Sequence, residues 1–157
     1  MLANWGDRFL AWLIDFILVS IALAVLFSAI AIPIRFFYYD DDMAAARAYQ
    51  NVEPLHYVIS SIAFFAYWTY LEYTSGQSIG KRLLKIKTVD LSGNRIDIKS
   101  AAIESFGKAF LLPIDVVLGW IFTNSKRQRI FSRISDTIVI NLKNPQLAPN
   151  DIKYTKD

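Results

Sequence analysis

With 157 residues, 54% of them hydrophobic, the chain is one small domain, too apolar for a soluble monomer of that size. The lack of cysteine excludes disulfides, thiol nucleophiles and thiolate metal sites, and a lone histidine, His56, excludes a multi-histidine metal centre. The net charge of +3 says little by itself; its distribution along the chain says more.

The first element is an apolar run. Between Arg8 and Arg35 only Asp15 is charged. As a helix the run reaches roughly 39 Å, against about 30 Å for the hydrocarbon core of a bilayer. It has no polar face, so it reads as a membrane span over about residues 9–34. A cleaved signal peptide fits less well, because the apolar run is too long and Asp7 with Arg8 leaves the flank nearly neutral.

Next comes an acidic stretch with Asp40, Asp41, Asp42 and Glu53, expected to be a solvated loop over 36–55. A second apolar run covers about 55–73 and just suffices for a second span. Tyr67, Trp68, Tyr70 and Tyr73 crowd its C-terminal end, as in an interfacial aromatic belt. His56 falls at the other end, as an interfacial hydrogen-bonding residue.

The segment that follows is basic, with Lys81, Arg82, Lys85, Lys87, Arg95 and Lys99. The positive-inside rule places it in the cytoplasm, with the acidic stretch outside and both chain termini inside. Period-two alternation at Leu84, Ile86 and Thr88, a Ser92-Gly93-Asn94 turn and a return strand at 96–98 predict a hairpin within 81–99.

Ser100 is a candidate cap for a third helical region over 101–123, broken near Pro113 and Gly119. Another basic cluster, Lys126, Arg127, Arg129 and Arg133, follows it. A broken, re-entrant or interfacial helical pair keeps both clusters inside; one full crossing is the alternative. A last strand is expected at 137–142, pairing with the hairpin, and a loose tail at 144–157. The fold class is thus an all-α membrane protein with two transmembrane helices, a broken helical pair and a small cytoplasmic β element, forming one domain over 1–143.

With its elements placed, the chain resembles the RDD family of small integral membrane proteins. Arg8 through Asp15 looks like the family's first helix, which begins with arginine and carries an aspartate. The stretch from Gly76-Gln77-Ser78-Ile79-Gly80-Lys81 to Asp90 is similar to the family's glycine-rich lead into a strand. Gly93, the Lys108–Gly119 stretch with Asp115, and the ending from Arg127 through Val139 also fit, so that the resemblance covers roughly 4–142. It departs at the C-terminal acid: the family's aspartate falls at Ser132, and the nearby acid here is Asp136. Functions proposed for the family range from cation transport to regulation of membrane proteases.

The candidate site residues are therefore Arg8, Asp15, Lys108 and Asp115, as an intramembrane polar network or an ion or proton site. Arg8 and Asp15 are seven apart and share a helix face, as do Lys108 and Asp115. Arg8 could meet Asp115, and Lys108 could meet Asp15, since an acid inside a bilayer needs a partner. Asp136 is the candidate C-terminal acid.

The loop Gly76, Gly80, Lys81 superficially suggests a phosphate loop. It has Arg82 where Ser or Thr must bind magnesium, and it precedes a strand instead of following one. A turn leaving the bilayer, with its basic residues against anionic headgroups, is the better reading. No nucleophile–base pair is visible, so no enzyme, cofactor, metal, nucleotide or nucleic acid is expected. The expected partners are the lipid bilayer and a membrane protein or a second copy of the chain. The leading function is an accessory or scaffold subunit; the rival is a cation or proton transporter acting as an oligomer.

Overall fold

The structure is a computed structural model that describes residues 2–37, 42–110 and 130–143. Asp115, the expected break at Pro113 and Gly119, and the tail lie outside the described residues. So do Asp40 and Asp41.

Two long helices dominate. Helix α1 runs Trp5–Phe37, its first turn closed by Arg8 N–H donating to the Asn4 carbonyl at 3.2 Å. The expected first span thus lies inside α1. Its Trp5–Pro33 part, 29 residues, is long and apolar enough to cross a membrane. Only 11% of its apolar window is buried inside the protein, the opposite of a soluble core helix. Among the described residues it is the one helix that meets that test.

Helix α2 runs Asp42–Ser75 and contains the second apolar run. Its start corrects the expected loop over 36–55: most of that stretch is helical. The reason is local, since Met43-Ala44-Ala45-Ala46-Arg47-Ala48 is made of strong helix formers that outweigh the acidic flank. α2 lies antiparallel to α1. Asp15 sits beside Tyr67 and Trp68, Phe16 stacks on Phe64 at 5.4 Å, and Phe27 meets His56 at 3.9 Å between ring centroids. The start of α1 and the end of α2 therefore share one end of the hairpin.

α2 stops at Gly76, which takes a positive φ of 70° and returns its N–H to the Glu72 carbonyl at 2.8 Å. A short helix α3, Ile79–Leu83, follows, with Ser78 as its cap. Strand β1 is Ile86–Asp90, helix α4 Ile98–Phe110, helix α5 Ile130–Ile134 and strand β2 Thr137–Asn141.

The sheet corrects the predicted hairpin. β1 pairs antiparallel with β2, from Ile86 opposite Asn141 to Asp90 opposite Thr137. No return strand forms at 96–98. Asp97 instead caps α4, with Oδ1 accepting Ser100 N–H and its carbonyl accepting Ala101 N–H, each at 3.0 Å. The cap is therefore Asp97 and not Ser100. The expected C-terminal strand does form, and it takes the ladder that the hairpin would have used.

Leu2 adds a single bridge to Ile140, and Ala3 N–H donates to the Val139 carbonyl at 2.8 Å. The N-terminus, β1 and β2 are thereby tied at one end of the molecule. One sheet face, with Ile86 and Val139, packs on Ala3 and Ala11; the other, with Val89, Ile138 and Ile140, is covered by Leu2 and Leu91.

A two-stranded sheet is marginal alone, so its survival depends on these contacts. Ile138 stands opposite Val89, and proline there removes a ladder donor. Ile138→Pro should accelerate hydrogen exchange at the Lys87 and Val89 amides while leaving the middle of α1 unchanged. Unaltered protection at both amides would show that the ladder is not what holds β1.

Candidate functional site

The buried polar side chains gather where the end of α2, the start of α1, α3 and α4 meet. Asp15 is 2% exposed. Its Oδ1 accepts Tyr67 Oη–H and Gly80 N–H, both at 2.8 Å, and its Oδ2 accepts Trp68 Nε1–H at 3.3 Å. Among the described residues, three neutral donors and not a cation hold the carboxylate. The Gly80 bond requires α3 to lie directly on α1. A Cβ at Gly80 would stand 2.1 Å from the Ala11 carbonyl oxygen, so only glycine allows the approach.

One turn along α2 from Trp68, Glu72 is fully buried. Its Oε1 accepts from Lys81 Nζ and, at 2.7 Å, from Lys108 Nζ. Lys81 also donates to Thr88 Oγ1 on β1. Lys108 lies 3.7 Å from Glu104, four residues earlier on α4. Glu104 Oε2 accepts Ser132 Oγ–H from α5 at 2.8 Å. Among the described residues the cluster brings two carboxylates against two ammonium groups and joins four helices and a strand. Burial pulls the Lys81 ammonium down to about 8, with the Glu72 carboxylate opposing the fall. Glu72 Oε2 and Ser105 Oγ are buried with no hydrogen-bond partner among the described residues.

A model of the RDD family matches residues 2–136. The chain belongs to the RDD family. Comparisons with curated proteins and with solved structures gave no match. Every residue of the polar network named above lies within the RDD match.

The expected site residues fare differently. Asp15 is at the heart of one half of the network. Lys108 is in the other half, on Glu72 and Glu104, instead of on Asp15. Arg8 lies over the Trp5 ring, 5.5 Å from its centroid. Asp115 is outside the described residues. Gly76 and Gly80 act as a helix stop and a close-approach point. Lys81 is buried on Glu72 instead of facing lipid headgroups.

Asp136 sits in the turn before β2 with a positive φ of 50°. Ser132, where the resemblance leads one to expect the family's acid, is 1% exposed and donates to Glu104 of α4. Sequence reasoning missed Glu72, Glu104, Tyr67, Trp68 and Thr88 as network members. The i,i+4 spacing of Trp68 with Glu72, and of Glu104 with Lys108, was the available signal.

Because all three partners of Asp15 donate, an amide nitrogen at that position would face a donor. Asp15→Asn should cost about 2 kcal/mol. Asp97→Asn, at an exposed cap where asparagine serves equally, should cost little. The midpoint of heat-induced aggregation in detergent compares them, and equal midpoints would refute a buried role for Asp15.

Glu72→Gln and Lys81→Met should each be strongly destabilising, about 3–5 kcal/mol, by leaving a buried charge under-compensated. Their combination should cost clearly less than the sum. Additive losses in a double-mutant cycle would show that the two groups are not coupled.

Proposed function

We propose that this RDD protein is a non-enzymatic accessory or scaffold subunit of the cell membrane, with α1 and α2 both spanning and both termini in the cytoplasm. The supporting observation is that Asp15 is spent on internal bonds. Its oxygens meet Tyr67, Trp68 and Gly80, and Glu72 meets Lys81 and Lys108. A carboxylate so engaged locks helices together and leaves α1's outer face, with Ile21 60% and Val25 65% exposed, for lipid or for another membrane helix.

The topology draws support from the β1–β2 ladder and the Leu2 bridge. They tie residues before α1, after α2 and after α5 to one end, as an even number of crossings requires. The basic residues Arg82, Lys85, Arg95 and Lys99 lie at or beyond the end of α2, on the side the positive-inside rule makes cytoplasmic. A second reading, cation or proton transport by an oligomer, is favoured by Glu72 Oε2 and Ser105 Oγ, buried with no partner among the described residues, since such atoms call for a water or an ion.

Proteoliposomes separate the two. Vesicles carrying the purified chain should dissipate neither a sodium nor a proton gradient faster than empty vesicles. Photocrosslinkers at Ile21 and Val25 should give a discrete heavier adduct with one membrane protein. A flux abolished by Glu72→Gln would overturn the accessory reading in favour of transport.

A further inference from the structure

The base of α1 carries a basic rim that the polar network does not use. Lys143 Nζ lies 3.4 Å from Asp7 Oδ1, in the first turn of α1, with the lysine side chain half exposed. The apolar run begins just past Asp7, so this contact marks headgroup depth for a spanning α1. Gly80 touches the Ala11 backbone, four residues further along, which puts this part of α3 about 6 Å deeper.

α3 ends there in Arg82 and Leu83, with Lys85 two residues beyond; all three are exposed, Leu83 at 65%. Leu142 N–H donates to the Lys85 carbonyl at 2.7 Å, which brings Lys143 beside this end of α3. Leu142 is exposed as well. Two leucines at the depth of the acyl boundary are thus flanked by three long cationic side chains able to reach up to the headgroups. Arg82 gives one of its five donors to Ser75 Oγ at 3.0 Å, the one side-chain bond it makes among the described residues. Asp7 faces Lys143 at this rim.

We propose that Arg82, Lys85 and Lys143 hold the phosphate of an anionic lipid headgroup, with Leu83 and Leu142 against its acyl chains. The occupant follows from charge and depth together. A free anion has no use for the leucines, and a zwitterionic lipid brings an ammonium that the rim repels. The inference rests on the reading of α1 as a span.

Native mass spectrometry of the full chain, released from detergent doped with phosphatidylglycerol or phosphatidylcholine, tests it. Phosphatidylglycerol adducts should exceed phosphatidylcholine adducts by roughly tenfold, given the attraction of each basic group for an anionic surface. The triple variant R82Q/K85Q/K143Q should bring the ratio close to one, and K99Q/R133Q, two exposed basic residues elsewhere, should leave it unchanged. Should the triple variant not fold, Lys85→Gln and Lys143→Gln singly should each lower the ratio.

A ratio insensitive to these changes overturns the site. An equal drop in K99Q/R133Q overturns it in favour of diffuse charge. Inorganic phosphate adducts as abundant as the lipid's would reassign it to a free anion. Retention in carbonate-washed membranes separately tests α1 as a span: equal lipid ratios with retention intact refute the lipid site alone, and loss of retention refutes the membrane reading beneath it.

Discussion

A carboxylate removed from water has to be met by donors, and this protein is organised around two of them. Asp15 and Glu72 lie on antiparallel helices near the same end of the hairpin. An uncompensated charge there costs a large share of a typical domain's stability. Each acid therefore dictates where its neighbours go. Asp15 requires the N–H of Gly80, so α3 must lie flat on α1. Glu72 requires Lys81 and Lys108, so α3 and α4 must both reach the end of α2.

The sheet is a consequence of the same arrangement. Lys81 reaches Thr88 on β1, Gln77 donates to the Ile86 carbonyl, and the Gly76 carbonyl accepts Thr88 N–H. β1 is thus fastened to the turn that ends α2 as well as to β2. β2 in turn receives Leu2 and Ala3, which closes the chain's two described ends on each other. α5 joins through Ser132 on Glu104 and through Phe131, whose ring lies 2.6 Å from where a Cβ on Gly107 would stand. Gly80 on Ala11 lets two backbones approach closely, and Gly107 leaves room for the Phe131 ring.

The apolar surface follows a different logic. α1 carries exposed Phe, Leu, Ile and Val from Phe9 to Phe36, and α2 carries exposed apolar and aromatic side chains between Leu55 and Tyr73. In water that would be a liability. In a bilayer it is the solvent-matched face, and it places the polar network at the cytoplasmic boundary of the proposed topology. Stability in this protein is concentrated at one end, where charges, sheet and short helices meet, while the far end of the hairpin is held by contacts such as Phe27 on His56.

What the sequence determined by itself was what composition and local pattern can express. The unbroken apolar run made α1, the period-two alternation made β1, the strand candidate at 137–142 became β2, and the glycine spacing with Arg8 and Asp15 carried the family. These are local properties, set by neighbours a few residues away. Partner choice is not local. Lys108 was expected on Asp15 and is found on Glu72, because Asp15 is already filled by neutral donors that hydropathy treats as a lipid-facing aromatic belt. The return strand expected at 96–98 yielded to an Asp97 cap, since a distant strand, Thr137–Asn141, was available to pair with β1. Which donor meets a buried acid, and which strand completes a ladder, depend on chain segments brought together from 9 to 65 residues apart, and only the tertiary structure decides that.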